Sequence, residues 1–577
     1  MYPIGKQFEV DYTRVKCNDK ASFKGKFYRI SVLSDRVVRL EYSPSGQFVD
    51  RPTQLVLRRD IGTVNPAVRQ DNNIIEISTK CFSLTYAKEK SFIGSKVDPM
   101  RNLKITLISR ERDRNKDWYV GHPEARNLKG NLVSVDVDTP FTKGLYSLDG
   151  FASIDDSNNK IIMEDGTLAD PPKDHVDIYV FMYDKDFRHA LSDYFKMTGF
   201  PSLIPRYALG NWWSRNITYD DASVKDLIRS FEKKRIPLSV MLFDNDWHYR
   251  NVGNVQGLKS GFSFNNELFS DPKKMIEQFH SRGIRVGLCI NPTEGIYPFE
   301  TYYKQASEYL GINDNSIIQF DPLNPKLLDV MFKMFLHPLE AYGVDFFWND
   351  YYGDKNNISN LWATSHYLYL DSKRNVSKRG MLLSRNGIYG AHRYGILYGG
   401  SSEISWEKLK QLPFMYLNAS SIGVSWWSHD VAGNHGGIEE GDLYVRYLQL
   451  STFCPILRFH GARGPYYKKE PWLWNAQIES IAADYLRLRH RLIPYLYTEA
   501  YNYTKSGIPL VQPFYYNYMW VYDDDLYRNQ YYFGSQLLVC PILEKLDPVM
   551  NRTLHRFFIP DGIWYDFITG KKFPGNK

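Results

Sequence analysis

Long apolar runs are missing from this 577-residue chain. No stretch reaches the roughly 20 consecutive apolar residues that a bilayer-spanning helix needs. The N-terminus, MYPIGKQFEVDYTR, has no basic segment followed by an apolar one and does not read as a secretory signal. The expectation is a cytoplasmic protein with no membrane partner. Cysteine is sparse: Cys17, Cys81, Cys289, Cys454 and Cys540 are scattered, with no CxxC pair. That excludes a cysteine metal site and leaves free buried thiols as the expectation. HxH and HExxH spacings are absent, and no glycine-rich phosphate or dinucleotide motif opens a helix, so neither metal nor cofactor is expected. Charge of one sign is barely in excess, 72 Lys+Arg against 65 Asp+Glu, or +7 net. No basic run tracks a phosphate backbone, so no nucleic-acid partner is expected. No signal specifies an oligomeric state.

What is abundant is aromatic: 43 Tyr, 33 Phe and 13 Trp, 15% of the chain. Most such rings pack cores, but flat rings also stack on the apolar faces of sugars. Residues up to about Tyr183 read as short alternating strands, among them FYRISVLSDRVVRLEY, NIIEISTKCFSLTY and HVDIYVFMY, which predict a β-sandwich over 1–199. Near Phe200-Pro201 the pattern changes. YALGNWW precedes the helical DDASVKDLIRSFEKKR, PLSVMLFD precedes SDPKKMIEQFHSRG, and IRVGLCINP precedes PKLLDVMFKMFLHPLEAYG. Strands alternating with amphipathic helices call for a parallel sheet, and 200–505 has the length of a (β/α)8 barrel. His248–Phe269 has no period and reads as an insertion loop over the barrel mouth. From Ser506 short β runs return (GSQLLVCPIL, HRFFIPDGIWYDF), giving a C-terminal β domain over 506–577. The fold class is therefore multidomain, α/β plus all-β.

Active residues of such barrels sit at the C-terminal ends of the strands. Asp244-Asn245-Asp246-Trp247-His248 follow PLSVMLF, Asn349-Asp350 follow VDFFW, and Arg385 follows MLLS. Gly399-Gly400-Ser401-Ser402, Ser428-His429-Asp430 and His460 follow the later strands. Taken singly, an aspartate after a strand is a helix cap or turn residue, His460 a hydrogen-bonded core group, and Trp212-Trp213 and Trp426-Trp427 packing. Their recurrence around one rim, among tryptophans, describes a polar site with apolar walls, suited to a polyhydroxylated small molecule.

These segments resemble glycoside hydrolase family 31 across the whole barrel and into both flanking β regions. DFFWND is similar to the family's nucleophile strand, which makes Asp350 the nucleophile, with Trp348 beside it. LLSRNGIYGAHRYGILYGGSSEISW is similar to the segment from a sugar-binding arginine, Arg385, to the acid/base. LFDNDWH places Asp244 on the hydroxyls of the terminal sugar, SWWSHDVAG places Asp430 as an orienting group, and PILRFHG makes His460 a further sugar ligand. The resemblance implies a retaining α-glycosidase on α-glucosides, α-xylosides, α-galactosides or α-N-acetylgalactosaminides, with α-glucosides the base expectation, or a transglycosylase with the same residues.

Two features depart from the family. The acid/base aspartate stands five residues before a tryptophan; counting back from Trp406 gives Ser401. The chain also stops at Lys577, soon after GIWYDF, where family members continue, so the C-terminal β domain is expected to be incomplete. A retaining glycosidase needs two carboxyl groups roughly 5–5.5 Å apart, one to attack the anomeric carbon and one to protonate the leaving oxygen. A serine hydroxyl is too weak an acid for the second task, which is typically worth about 10²–10⁴ in rate. Three explanations suit Ser401, in this order: an engineered change that traps substrate, a natural loss giving a sugar-binding pseudoenzyme, and replacement of the lost acid by Glu403, two positions on.

Overall fold

The computed structural model describes residues 4–93, 102–109, 116–130, 141–351, 358–385, 387–399, 401–464 and 467–577. Tyr352 and Gly353 after the expected nucleophile, and Gly400 before Ser401, lie outside the described residues. Two five-stranded antiparallel sheets form the N-terminal region. One runs in the order Ser22–Lys24, Tyr28–Val32, Val37–Tyr42, Val176–Met182, Phe151–Asp155; the other joins the strands between Ala67 and Trp118 in sequence order. Alternation puts Ile30, Val32, Val38, Leu40, Val180 and Met182 of the first sheet against Ile75, Ile77, Leu84 and Ile105 of the second. The other face of the first sheet carries Val37, Tyr179 and Phe181 into the core shared with the barrel. That face also buries the paired charges Arg39, Glu41 and Asp177, so its central strands are buried on both faces.

Eight parallel strands close the barrel: Asn211–Arg215, Val240–Phe243, Arg285–Ile290, Phe346–Asn349, Leu382–Ser384, Ile396–Tyr398, Trp427–Val431 and Ile456–Phe459. The first pairs with the eighth, Trp212 beside Arg458, which completes the ring. Helix Asp221–Lys233 shows how the covering layer is specified. Asp220 and Ser223 form a reciprocal capping box, and Val224, Leu227, Ile228 and Phe231 make its buried stripe. The first strand starts later than YALGNWW suggests, because Arg206–Leu209 form a 3-10 turn before it.

The β/α rhythm breaks once. Between strands five and six the described residues hold only the short 3-10 turn Ala391–Arg393. The sandwich region covers this place instead. Arg393 donates to the carbonyls of Leu55 at 2.9 Å, Thr198 at 2.5 Å and Gln54 at 2.5 Å. His392 Nε2 lies 2.8 Å from the Gly199 carbonyl, and the Gly390 N–H donates to Tyr194 Oη at 2.8 Å. Helix Phe187–Thr198 supplies two of these partners, Tyr194 and Thr198.

The expected insertion is an irregular loop with isolated bridges His248–Phe264 and Val252–Val255. Two carboxylates fasten it. Glu294 accepts from the Lys259 and Ser260 N–H groups at 2.7 and 3.0 Å, and Glu300 accepts from the Phe262 N–H and Ser263 Oγ at 3.1 and 2.6 Å. Past Ser506 come a three-stranded sheet (Val511–Pro513, Tyr531–Phe533, Leu537–Val539) and the hairpin Ile563–Tyr565 with Lys572–Pro574. All five cysteines are free; Cys289 and Cys454 are fully buried, whereas Cys17, Cys81 and Cys540 are only partly buried, so the expectation of buried thiols holds in full for the first two. No described helix is long and apolar enough to cross a membrane.

At the opposite end of the barrel from the rim of charged residues, Arg489 is fully buried and donates to the carbonyls of Leu209, Thr452, Cys454 and Pro455 at 2.7, 3.0, 2.6 and 2.6 Å. It ties the start of strands one and eight to the last barrel helix. Arg489→Met leaves those carbonyls without donors, and the expected loss is about 3–5 kcal/mol. The midpoint of urea unfolding followed by tryptophan fluorescence measures it; an unchanged midpoint would mean that water or a backbone shift satisfies them.

Candidate active site

Asp350 follows the fourth strand directly, its backbone N–H bonded to the Ile290 carbonyl at 2.9 Å. The residue is 6% exposed, and Arg385 Nε donates to Oδ1 at 2.7 Å. Arg385 Nη2 donates to Tyr398 Oη at 2.7 Å, and its guanidinium lies 4.8 Å from the centre of the Tyr398 ring. A second arginine, Arg458, stands at the same 4.8 Å from that ring. Arg458 donates to Asp430 Oδ1 and, at 3.0 Å, to Ser428 Oγ. Carboxylate, guanidinium, phenol, guanidinium and carboxylate thus alternate across the barrel mouth. Each buried charge has an opposite neighbour, the condition on which ionised groups survive in a low-dielectric interior. Burial holds the Tyr398 phenol well above its ordinary value, so it serves as a neutral bridge.

Trp348 is the wall of this site. Its ring meets Tyr398 edge-on at 5.2 Å and His460 edge-on at 5.3 Å, with Arg458 at 5.5 Å. His460 Nδ1 lies 2.9 Å from Ser214 Oγ, and Nε2 lies 3.7 Å from Asp244 Oδ2. Burial pushes the His460 imidazole down to about 3, with Arg458 adding to the effect although Asp430 opposes it, so the ring is neutral and this contact is no ion pair. Asp244 accepts from the Asn245 N–H at 2.7 Å. Burial, then the charge of Asp350, push its carboxyl up to about 7. Asp430 moves the other way: burial would raise it, but Arg458, the Asn434 hydrogen bond and Lys469 outweigh burial and hold it below its ordinary value.

Several buried polar atoms at these strand ends have no protein partner among the described residues: Asn245 Oδ1, Asn291 Nδ2, Trp348 Nε1, Ser384 Oγ and Arg458 Nη1. Buried donors and acceptors left in this state are costly unless a ligand or water meets them. Ser401 is half-buried just past the sixth strand, Ser402 and Ile404 are buried, and Glu403 is exposed. Glu403 forms an isolated parallel bridge with His435, and its side chain runs along Gly436 and Gly437.

The family profile of the glycosyl hydrolases family 31 TIM-barrel domain matches residues 201–499, and that of the family's C-terminal domain matches 507–577. The chain belongs to glycoside hydrolase family 31. It is 28% identical over 465 residues to an alpha-xylosidase of Saccharolobus solfataricus, covering 75% of this chain and 59% of that protein. It is 26% identical over 460 residues to an isomaltosyltransferase of Sporosarcina globispora, covering 69% of this chain and 41% of that protein. The chain therefore spans about half the length of these relatives. A dextranase of this family from Flavobacterium johnsoniae, solved in complex with glucose, superposes with a TM-score of 0.73 at 18% identity over 97% of this chain and 76% of that one; it shares the fold.

Within this family 31 barrel, Asp350, Arg385, Trp348, Asp430, His460 and Asp244 converge on one mouth, and Ser401 stands at the rim beside the loop that follows strand seven. Sequence reading missed Tyr398, Arg458, Ser214 and Asn434. An arginine inside the apolar strand PILRF was the one available signal, since a charge within a buried strand needs a partner on a neighbouring one. Asp430, beside Arg458 in register, is that partner.

Asp244 has a measurable consequence. Its folded-state pKa lies above its ordinary value of 3.8, so the ionised form is disfavoured on folding. The resulting destabilisation grows as pH rises from about 4 to about 7 and is complete above that. Asp244→Asn therefore raises the melting temperature at pH 8 and raises it less at pH 5, as thermal unfolding at the two pH values will record. A lower melting temperature at pH 8 would mean that the carboxylate is stabilised where it sits.

Proposed function

We propose that this chain is a retaining α-glycoside hydrolase, acting on α-linked glycosides or oligosaccharides, α-glucosides first, through a glycosyl-Asp350 intermediate. The observation that carries the reading is the setting of Asp350: a nearly buried carboxylate at the end of strand four, fixed by Arg385 at 2.7 Å and walled by Trp348. A binding module has no need of such a group, whereas a nucleophile needs to stay ionised and aimed. In the first step an Asp350 oxygen bonds to the anomeric carbon as the bond to the leaving group breaks, giving a β-linked ester. In the second, water attacks from the opposite face, the α-linked hydroxyl forms, and the carboxylate is released. Asp244, Asp430, Arg385 and His460 bind the sugar hydroxyls, and the unpartnered Asn245 Oδ1 and Arg458 Nη1 suit the same ligand. No cofactor and no metal enter this scheme.

Ser401 limits both steps, since no carboxyl stands at that position to give the leaving oxygen its proton or to take one from water. Glu403 does not replace it in this reading, because its side chain is exposed along the 435–437 loop. Turnover then depends on the leaving group: substrates whose leaving group departs as a stable anion react, and unactivated glycosides react slowly. A transglycosylase is the second reading, favoured by the likeness to an isomaltosyltransferase; a sugar-binding pseudoenzyme is the third, favoured by Ser401.

The test is a panel of α-glycosyl fluorides and aryl α-glycosides, with and without azide. Fluoride should be released by the native chain and not by Asp350→Ala. Azide, already an anion, should attack the intermediate without base help and give an α-glycosyl azide with retained configuration. Ser401→Asp should raise turnover of unactivated glycosides by about 10²–10⁴, and Glu403→Gln should leave the native rates unchanged. Product analysis at high sugar concentration separates transfer from hydrolysis. Sugar binding without fluoride release from any panel member would leave the pseudoenzyme reading in place of the hydrolase.

A further inference from the structure

Lys469 is a lysine with no solvent exposure, and its ammonium forms no ion pair with a carboxylate among the described residues. Its Nζ donates to three successive carbonyls, those of Val431 at 3.3 Å, Ala432 at 3.0 Å and Gly433 at 2.5 Å. Those residues form the turn that leaves strand seven just after Asp430. Ala432 and Gly433 have φ of 64° and 70°. Consecutive residues of the same helical hand point their carbonyls the same way, and the left-handed form is costly for alanine. The turn thus concentrates negative partial charge at one spot, and the ammonium sits on it. Gly433 also needs its missing side chain, since a Cβ there would lie 2.9 Å from Ile404 Cα.

The held turn reaches two parts of the active site. Asn434 Nδ2 donates to Asp430 Oδ2 at 2.6 Å, which fixes the oxygen that Arg458 does not take. The Asn434 and His435 N–H groups donate to the Ser402 carbonyl at 2.7 and 3.2 Å, the Ile404 N–H donates to His435 at 3.0 Å, and the Ile438 N–H returns to Ile404 at 3.2 Å. So the segment that carries position 401 hangs on the same turn. Lys469 itself is anchored from behind. Tyr444 Oη donates to its carbonyl at 2.8 Å, and its neighbour Glu470 takes Arg215, the last residue of strand one, at 2.8 Å through both oxygens.

We propose that Lys469 is a positioning residue for the sugar site, holding Asp430 and the segment around position 401 in one fixed relation through the 431–435 turn. The role rests on the glycosidase reading. Burial pushes the ammonium down to about 7, against the pull of Asp430. A lysine kept in such a place at that cost fits a group retained for the arrangement it imposes. A bulkier arginine is a poor substitute, because a Cβ on Gly461 would already lie 2.7 Å from Lys469 Cε.

Lys469→Met and Lys469→Gln test it; the second keeps two N–H donors and folds more readily if the first does not. Amide hydrogen exchange is read at Ile404, Asn434, His435 and Ile438, and steady-state kinetics are run with α-glucosyl fluoride. Exchange should accelerate at all four amides together in Lys469→Met and less in Lys469→Gln, with no change in the sandwich sheets. KM for the fluoride should rise by about tenfold to a hundredfold while Asp350 still forms the intermediate, since small misplacements of binding groups cost that much. Adding Lys469→Met to Ser401→Asp should also cancel most of the turnover that the aspartate restores. A merely structural lysine would lower the melting temperature and leave KM unchanged. Unchanged exchange at the four amides, or faster exchange with native KM, overturns the proposal. A native chain that neither binds nor cleaves any panel sugar sinks the glycosidase reading and this one with it, whereas an active native chain with unaltered kinetics in both variants sinks only the role of Lys469.

Discussion

Buried charge in the barrel mouth is the constraint that organises this molecule. Asp350 and Asp430 are both nearly inaccessible, and each carboxylate is met by an arginine, Arg385 and Arg458. The two arginines share one phenol, Tyr398, between them. Removing one partner of either ion pair strands a charge in low dielectric, which typically costs about 3–5 kcal/mol. The pairing holds Asp350 against Arg385 beside the Trp348 ring. Asp244 lies close enough to feel Asp350 and has no such partner, so its carboxyl is pushed up to about 7. One site therefore holds two carboxylates met by arginines, with Asp430 held below its ordinary value, and a third, Asp244, with no arginine contact among the described residues and its carboxyl pushed up to about 7.

The surrounding structure keeps that mouth rigid from several sides. The missing crossover helix between strands five and six is replaced by the sandwich, whose contacts with Arg393 and His392 brace the stretch between Arg385 and Tyr398. The insertion loop is fastened through Glu294 and Glu300. The loop after strand seven is held by Lys469 and in turn holds the segment of Ser401. At the other end of the barrel Arg489 does for stability what these groups do for the site. This division between a stabilising face and an active face is general for the fold.

Much of this was legible without coordinates. Strand-and-helix alternation from residue 200 gave a closed eight-stranded barrel, and alternating residues before it gave two packed antiparallel sheets, because side-chain period is a local property of the chain. Asp350, Arg385, Asp430 and His460 stood out since each follows an apolar strand, and strand ends of a parallel barrel share one face. Tyr398 was not legible, because a tyrosine within a short apolar strand is ordinary packing; Arg458 signalled a buried charge within such a strand but not which residue neutralises it.

The sequence by itself determined the order of the elements, the family of the barrel, the identities of the groups at its rim, and the serine where an acid is expected. Those features depend on residues close in the chain or on a spacing counted along it. Only the tertiary structure decided which charges neutralise which, since Asp430 meets Arg458 from a neighbouring strand 28 residues away. It also decided that the sandwich stands in for a helix, that Glu403 faces outward, and that Lys469 caps a turn 36 residues before it. Each of these depends on burial and on distances across the closed barrel, quantities that arise when the eighth strand meets the first.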